Sequence, residues 1–283
     1  PRQVEAAGNP PTECTYSRVR WRASRAPQMH CRSMFTPSTS VAARLLMLLF
    51  LLWGGAASAQ LGGKSVVVTE RTRAELLAHA PEGLEPGKPV WVGLQLAHQP
   101  KWHSYWKNSG DSGLPTKLEW KLPAGVLAGE IAWPTPGKYS IGTLINFGYE
   151  NTVLLPVPLT ITPEFKPSAL GGTLEVKLKA QWLVCRELCI PEEGEFSLAV
   201  SAKSATALHG GVFQASFAAQ PKPLMGQATA TIDGNALRLR VSGLPASLRG
   251  KPVEFFPETT EVIETSAHWS QACLLYTSDA ADE

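Results

Sequence analysis

Two cysteines, Cys185 and Cys189, constrain the fold most, because they directly follow the longest alternating stretch of the chain. Apolar residues occupy every second position from Leu174 to Trp182, a pattern that predicts a half-buried strand. On a straight strand, Cα atoms four residues apart are separated by about 13 Å, whereas a disulfide needs them within about 7 Å. A disulfide between these cysteines therefore requires a turn, either helical or hairpin-like. A loop that opens at the end of the strand is favoured, since Pro191 disfavours a helix that continues past Cys189.

Both ends of the chain differ from the rest in composition. From Met34 the sequence has the pattern of a secretory signal: Arg44 as the basic flank, an apolar run over 45–53, and small residues ending in Ala59. The apolar run is too short for a spanning helix, which needs roughly 20 residues. We therefore predict a signal peptide over 34–59 that leaves Gln60 as the new N-terminus.

The outermost segments are interpreted as foreign to the fold. Residues 1–33 resemble upstream sequence read through in frame, with a disordered basic arm as the alternative. Residues 273–283 resemble the translation of a sequencing adapter, and so they are excluded from reasoning about the fold. These two segments contain Cys14, Cys31 and Cys273, which leaves Cys185 and Cys189 as the only cysteines of the predicted mature chain.

Charge excludes two function classes for the predicted mature chain. Residues 60–272 carry 19 basic and 19 acidic side chains, although the whole chain has a formal net charge of +2. This balance does not indicate the basic face of a nucleic-acid-binding protein or a polybasic membrane patch. An exported protein can form disulfides, and a chain of this length can bury a core without one. A redox role for the cysteines is therefore open.

Short β-type runs separated by turn residues predict an all-β fold, an antiparallel sandwich. We expect a first domain over 60–203, a linker or short helix over 204–224, and part of a second β domain over 225–272. Among the expected strands are Glu130–Trp133, Val153–Ile161, which Pro156 and Pro158 would restrict to an edge or a bulge, and Val253–Phe256. A hairpin is expected to turn at Asp233, Gly234 and Asn235.

The cysteine pair is compatible with two roles. A thiol pair exchanges electrons only if one sulfur is reachable and its thiolate is accessible in energy. Arg186 favours a thiolate, whereas Glu187, Glu192 and Glu193 oppose it. The alternative is a buried structural disulfide, although closing so small a loop stabilises a fold by less than the ~3 kcal/mol of a 15-residue loop. A metal site is not expected, because two thiolates need further ligands and no histidine is nearby in sequence.

Two aromatic stretches contain further candidate residues. Within Lys101–Pro115, His103 and Tyr105 alternate and would point to one face of a strand, where they could line a cleft over the thiols. In the ordinary interpretation, the neighbouring tryptophans pack in the core or at its rim and His103 is a surface or hydrogen-bonded residue. Within Pro136–Asn151, glycines beside aromatics predict either a surface hairpin whose rings pack inward or a lid that shields the disulfide.

Three motifs together resemble the N-terminal periplasmic domain of the DsbD/ScsB-type thiol:disulfide interchange proteins. They are WHSYWKNSGDSGLP, the stretch from PGKYSIGTLINFGYEN into LLPVPLTI, and WLVCRELCIPEE. The resemblance spans roughly residues 65–200, and the following β segment is similar to the longer, ScsB-like members. It implies an immunoglobulin-like sandwich in the periplasm, within a full-length protein of the inner membrane.

The resemblance also implies a function. Cys185 and Cys189 would be the redox pair of a protein-disulfide reductase, with Cys189 forming the mixed disulfide and no metal or organic cofactor. Electrons would come from a thioredoxin-like C-terminal domain, through the transmembrane domain of the full-length protein, and pass to periplasmic disulfide-containing proteins. His103 and Tyr105 would be active-site neighbours, and Tyr139 or Phe147 would lie in a cap loop. Shorter family members have a longer gap between the cysteines and an aromatic where His103 stands.

The sequence is also compatible with two other function classes. One is a non-enzymatic periplasmic β-sandwich, an adhesion or chaperone-like module with a structural disulfide. The other is a copper-handling domain, which is disfavoured because the predicted mature chain has no methionine clustered with histidine. The exposure of the sulfurs distinguishes a redox pair from a structural disulfide, because a redox pair needs one reachable sulfur edge.

Overall fold

A computed structural model of the chain describes residues 64–169, 172–248, 251–267 and 269–272. The predicted signal peptide, the upstream segment and the adapter-like C-terminus lie outside the described residues. The described part is almost entirely antiparallel β-structure. Its elements are β1 (Val66–Val68), β2 (Thr72–His79), β3 (Val90–His98), β4 (His103–Gly110), β5 (Lys117–Lys121), β6 (Val126–Ala128), β7 (Gly137–Ile141), β8 (Leu144–Glu150), β9 (Thr152–Ile161), β10 (Thr173–Cys185), β11 (Cys189–Ser201), α1 (Gly210–Ala218), β12 (Ala228–Asp233), β13 (Ala236–Val241) and a 3₁₀ turn (Ala246–Leu248).

Strands β1–β11 form an immunoglobulin-like sandwich of two antiparallel sheets. The first sheet has the order β1-β2-β3-β9-β6, and the second has the order β11-β10-β4-β8-β7, with β5 also paired to β10. Alternation along β10 explains how the sheets pack. Its apolar positions from Leu174 to Val184 are buried, whereas the intervening positions Glu175, Lys177 and Lys179 are exposed. One face of β10 therefore joins the core and the other faces outward.

The helix α1 covers the outer face of the first sheet. Phe213 is fully buried and packs with Leu77 and Leu154. Beside them, the rings of Trp91 and Phe217 are in tilted contact, with centroids 4.7 Å apart and an interplanar angle of 56°. The Ser216 hydroxyl donates a hydrogen bond to the Leu154 carbonyl at 3.0 Å. A helix here was one of the two expectations for this stretch, and its two phenylalanines are what attach it to the sheet.

The prediction that prolines restrict Val153–Ile161 to an edge is borne out where the prolines lie. β9 pairs with β3 over residues 152–159, whereas β6 pairs only with residues 159–161, so Pro156 and Pro158 have a ladder partner on one side only. Its prolines are tolerated because their backbone faces away from β3: the carbonyls of Pro156 and Pro158 accept bonds from Ala132 and Gly129. Proline has no N–H to return those bonds.

The missing N–H groups of the β9 prolines also explain why the predicted strand over residues 130–133 is wrong. Residues 130–133, predicted as a strand, run beside β9 without forming a ladder. The paired strand lies just before them, at β6, where Val126 and Leu127 oppose Ile161 and Thr160.

Beyond α1, the expected hairpin is confirmed. β12 and β13 pair around Gly234 and Asn235, and Gly234 adopts a positive φ of 59°. The predicted strand Val253–Phe256 is wrong, because this segment has no regular secondary structure. Its Phe256 ring instead packs edge-on against Phe147 at 5.1 Å and Trp106 at 6.4 Å. Within the described residues, no helix has the length and apolar character needed to cross a membrane.

Candidate functional site

The two cysteines form a disulfide at the tip of the β10–β11 hairpin. Cys185 and Cys189 are cross-strand partners, with Cα atoms 4.2 Å apart and three residues in the connecting loop. This is the hairpin-like turn that the sequence predicted. The two sulfurs differ in accessibility, because the Cys185 residue is fully buried and Cys189 is exposed. An incoming thiolate can therefore reach the sulfur of Cys189 far more easily than that of Cys185.

Strand alternation places the disulfide on the outward face of the second sheet. Paired residues of antiparallel strands point to the same side, and Cys185 pairs with His103 of β4. Tyr105 lies two residues further along β4 and shares that face. The structure thus brings the cysteine pair, Cys185 and Cys189, next to His103 and Tyr105, although the two pairs are far apart in the sequence.

Tyr105 is the residue in direct contact with the disulfide. Its hydroxyl oxygen lies 3.5 Å from the Cys189 Sγ, and the residue is fully buried. Burial raises the pKa of the phenol above its usual value, and hydrogen bonding with the Ser112 side chain acts in the opposite direction. The phenol therefore keeps its proton at neutral pH and can donate it in a hydrogen bond to a sulfur.

The loop before β5 covers the Tyr105 ring. Gly113 has a positive φ of 95°, and a Cβ added there would lie 2.2 Å from atoms of that ring. Only glycine fits so close an approach in this backbone conformation. The loop is fastened to β8, because the backbone N–H of Ile145 donates to Asp111 Oδ2 at 2.8 Å.

His103 lies between two tyrosines. Its ring stacks on Tyr139 at 5.2 Å with an interplanar angle of 13°, and contacts Tyr105 edge-on at 5.3 Å. The residue is buried, and its Nε2 has no hydrogen-bond partner. Burial lowers the pKa of His103 to about 4. The ring is therefore neutral at pH 7 and acts as an aromatic spacer with one unused nitrogen.

Tyr139 forms the outer layer of this aromatic stack. It lies on β7, and its hydroxyl accepts a hydrogen bond from the Glu150 backbone N–H at 3.2 Å. Burial raises the pKa of Tyr139 as well. The stretch 136–151 is a β7–β8 hairpin, so the aromatic residue that covers the site is presented by a strand and not by a loop.

Phe147 was predicted as the other candidate for the cap loop, and the structure corrects this prediction. It lies on β8 next to Gly148, which is the residue paired with Tyr105. Neighbouring residues of a strand point to opposite faces, so Phe147 points into the core. There it is fully buried and contacts Phe256.

Residues 74–201 match the family model described as thiol:disulfide interchange protein DsbD, N-terminal. This segment is a DsbD-type N-terminal domain. The match runs from β2 to the end of β11, so it includes the disulfide and every aromatic residue of the site.

The chain also has a weak similarity to a solved structure. That structure is the N-terminal periplasmic domain of ScsB from Proteus mirabilis, with a TM-score of 0.48 and 16% sequence identity. The alignment covers 64% of this chain and 68% of that one. A comparison with curated protein sequences finds no match.

The loop between the cysteines of this DsbD-type domain has a cation–π contact with Trp102, the residue just before β4. The guanidinium carbon of Arg186 lies 5.3 Å from the centre of the Trp102 ring, and that of Arg71 lies 5.1 Å from it. Arg71 is 3.8 Å from the carboxylate of Glu192, which also accepts a hydrogen bond from the Trp182 indole. The sequence indicated that Arg186 favours a thiolate, but its contact with Trp102 was not anticipated.

A groove beside the disulfide lies on the same outward face. It has a volume of about 350 Å³ and is lined by Leu114, Pro115, Lys117, Gln181, Trp182, Leu183, Pro191, Glu192 and Glu193. Leu183 and Pro191 are cross-strand partners, two positions before Cys185 and two after Cys189. Leu114, at the rim of the groove, and Leu188, in the cysteine loop, are both strongly exposed.

Sequence reasoning missed several residues that shape the site of the DsbD-type domain. Ser112, Gly113 and Asn146 lie in stretches that were singled out, but none was named as a site residue. The Gly-Asp-Ser-Gly run was a usable signal, since it predicts a tight loop next to the aromatics. Among the described residues, no group of three or more histidine, cysteine or acidic side chains is arranged to hold a metal ion.

Proposed function

We propose that this domain is a periplasmic thiol:disulfide interchange module that exchanges electrons through the Cys185–Cys189 pair. The observation that carries the proposal is the difference between the sulfurs: Cys189 is exposed beside the Tyr105 hydroxyl, while Cys185 is fully buried behind it. A structural disulfide needs no such asymmetry. An exchange site does, because one sulfur must be attacked and the other must leave.

The exchange proceeds in two displacements. A thiolate of the electron donor attacks Cys189 Sγ, the Cys185–Cys189 bond breaks, and Cys185 leaves as a thiolate. The second thiol of the donor then displaces Cys189, which gives an oxidised donor and a reduced domain, a transfer of two electrons. In the next step Cys189 attacks the disulfide of an acceptor protein, and Cys185 resolves the mixed disulfide.

Partners follow from this chemistry and from the family. The donor we propose is a thioredoxin-like domain of the same full-length membrane protein, supplied through its transmembrane part. The acceptors are periplasmic proteins with disulfides, which makes the whole protein a protein-disulfide reductase of the inner membrane. The groove along Leu183 and Pro191 supports contact with a partner segment, because these two residues lie two positions from Cys185 and Cys189 on the same hairpin.

Measuring the reduction potential of the pair tests the proposal. The full chain would carry serine at Cys14, Cys31 and Cys273, so that only Cys185 and Cys189 respond to glutathione or dithiothreitol buffers. We expect a value above about −300 mV, within the range of exchange proteins. A value well below that would indicate a structural disulfide in a non-enzymatic β-sandwich module, and the electron-transfer proposal would be abandoned.

A further inference from the structure

The outward face of the second sheet has rows of side chains that begin at the disulfide. Paired residues of β10 and β11 point to the same side, and every second pair lies on the same face. From the tip of the hairpin, the first three outward rows are Cys185 with Cys189, Leu183 with Pro191, and Gln181 with Glu193. Successive rows are about 7 Å apart, which is twice the rise per residue of an antiparallel strand.

The second and third rows differ in polarity. Leu183 is half-buried and Pro191 is exposed, and together they make the second row apolar. In the third row, Gln181 Nε2 donates to Glu193 Oε2 at 3.4 Å, and Lys117 of β5 is the partner of Gln181 on its other side. The surface therefore changes from the disulfide to an apolar position, and then to a polar position with charges of both signs.

The groove beside the disulfide follows these rows. Its volume is about 350 Å³, and the residues that line it include the whole of the second and third rows. Leu114 and Pro115, from the loop before β5, line it as well, and Leu114 is 62% exposed. A cleft of this volume is large enough to take a few side chains of a bound peptide.

An extended peptide has the same repeat as these rows. Its side chains alternate between two sides, so a cysteine and the residue two positions away point the same way and lie about 7 Å apart. In a mixed disulfide with Cys189, the cysteine of the partner is fixed at the first row. When the partner segment runs along the groove, the side chain two positions from its cysteine meets Leu183 and Pro191. A helix, whose side chains repeat every 3.6 residues, does not match this spacing.

We propose that this groove selects acceptor proteins whose reactive cysteine lies in an extended segment with an apolar residue two positions away. The apolar side chain packs on Leu183 and Pro191, and a polar residue two positions further meets the third row. The inference rests on the proposed function, because only an exchange site forms a mixed disulfide with such a segment. It makes Leu183 a residue that determines specificity without taking part in the exchange chemistry.

The test is the rate at which Cys189 attacks model peptides. The full chain would carry serine at Cys14, Cys31, Cys185 and Cys273, which leaves Cys189 as the single thiol. Each short glycine–serine peptide has one cysteine, supplied as its mixed disulfide with thionitrobenzoate. The Cys189 thiolate attacks the peptide sulfur, a Cys189–peptide disulfide forms, and thionitrobenzoate leaves as a coloured thiolate whose absorbance gives the rate.

The position of one leucine in the peptide is the variable. At one of the two positions that lie two residues from the cysteine, leucine is expected to raise the rate constant about tenfold over glycine, the lower end of what one apolar group contributes in a pocket. A leucine directly next to the cysteine points away from the sheet, so that peptide should react at the rate of the glycine peptide. This comparison needs no substitution in the groove.

Two matched variants locate the contact on the domain. Leu183→Ala removes the apolar side chain from the groove and should reduce the preference for leucine to about threefold or less. Leu188→Ala makes the same change at a residue that is 72% exposed in the cysteine loop and does not line the groove, and it should leave the preference unchanged. Each result is a ratio of rates for two peptides, so a general effect of a variant on the reactivity of Cys189 cancels.

Three results would overturn the inference. They are equal rates for all peptides, the same increase from a leucine next to the cysteine as from one two positions away, and a preference that Leu188→Ala removes but Leu183→Ala does not. All three leave the proposed function standing, because Cys189 still exchanges. Failure of the proposed function is distinguishable, since Cys189 would then react with none of the peptides, which would reject electron exchange and the selective groove together.

Discussion

The hydroxyl of Tyr105 lies 3.5 Å from the sulfur of Cys189, across 84 residues of sequence. This contact joins β4 to the tip of the β10–β11 hairpin and marks which sulfur the fold presents. Behind it, His103 and Tyr139 continue the aromatic stack across the same sheet face.

Trapping experiments test which cysteine is attacked. We expect Cys185→Ser to retain a stable mixed disulfide with a thioredoxin-like donor, because Cys189 is exposed and no second thiol remains to resolve the adduct. Cys189→Ser should trap a donor poorly, since Cys185 is buried. The measurement is the amount of adduct on a non-reducing gel, with both variants made in the chain that lacks the other three cysteines. Equal trapping by the two variants would falsify the assignment of Cys189.

Gly113→Ala tests the loop that covers Tyr105. The added methyl group would collide with the Tyr105 ring, and its backbone is held at a positive φ. We expect a loss of about 2–4 kcal/mol in the free energy of unfolding, from overpacking and backbone strain together. Denaturant unfolding measures this loss.

Gly83→Ala is the matched control for Gly113→Ala. Gly83 has a similar φ of 84° but nothing within 4 Å of the added carbon. Its substitution should therefore cost only the backbone component, about 1 kcal/mol. If the two variants lose the same stability, the Tyr105 ring does not limit the size of residue 113.

Phe256→Ala tests whether the segment after the hairpin is part of the sandwich. The Phe256 ring contacts Phe147 and Trp106, and Asn108 Nδ2 donates to the next carbonyl, that of Pro257, at 2.8 Å. We expect the variant to lose about 2–3 kcal/mol of unfolding free energy, somewhat less than a fully buried phenylalanine.

The neighbouring residue provides the comparison. Phe255 is 38% exposed, and Phe255→Ala is expected to change the free energy of unfolding by less than about 1 kcal/mol. Losses of equal size in the two variants would mean that Phe256 has no special place in the core.

His103 makes the stability of the fold depend on pH. Its pKa in the folded protein is lowered to about 4, below the 6.5 of an unperturbed histidine. As the pH falls, the unfolded chain therefore binds the proton before the folded protein does. The contribution of neutral His103 to the free energy of unfolding is fully present above about pH 6.5 and is lost as the pH falls towards 4. His98, whose pKa burial also lowers to about 4, acts in the same direction.

His103→Phe is expected to make this dependence shallower. The variant keeps an aromatic ring between the tyrosines but removes one of the two histidines whose pKa burial lowers. The free energy of unfolding, followed by denaturant titration between pH 7 and pH 4, should fall less steeply than in the unsubstituted protein. An identical slope in both proteins would show that His103 is not desolvated in the folded state.

The sequence alone was sufficient for the features that depend on local pattern. Alternation over 174–184 predicts a strand with one buried face, and a disulfide between Cys185 and Cys189 requires a turn. The alternation of side chains along a strand likewise predicted that His103 and Tyr105 share one face of β4. Each of these follows from backbone geometry within about ten residues, which is why no other part of the chain had to be known.

Tertiary structure decided everything that depends on which strands are neighbours. The pairing of Cys185 with His103, and the closure of Gly113 over Tyr105, follow from sheet order and register. The prolines of β9 lie where that strand has a ladder partner on one side only, because β6 pairs with residues 159–161 and stops short of Pro158. Phe147 and Tyr139 lie in the same hairpin, but strand register sends one into the core and the other over the site. Sequence spacing determines the faces of a strand, and only the packed sheets determine what each face contacts.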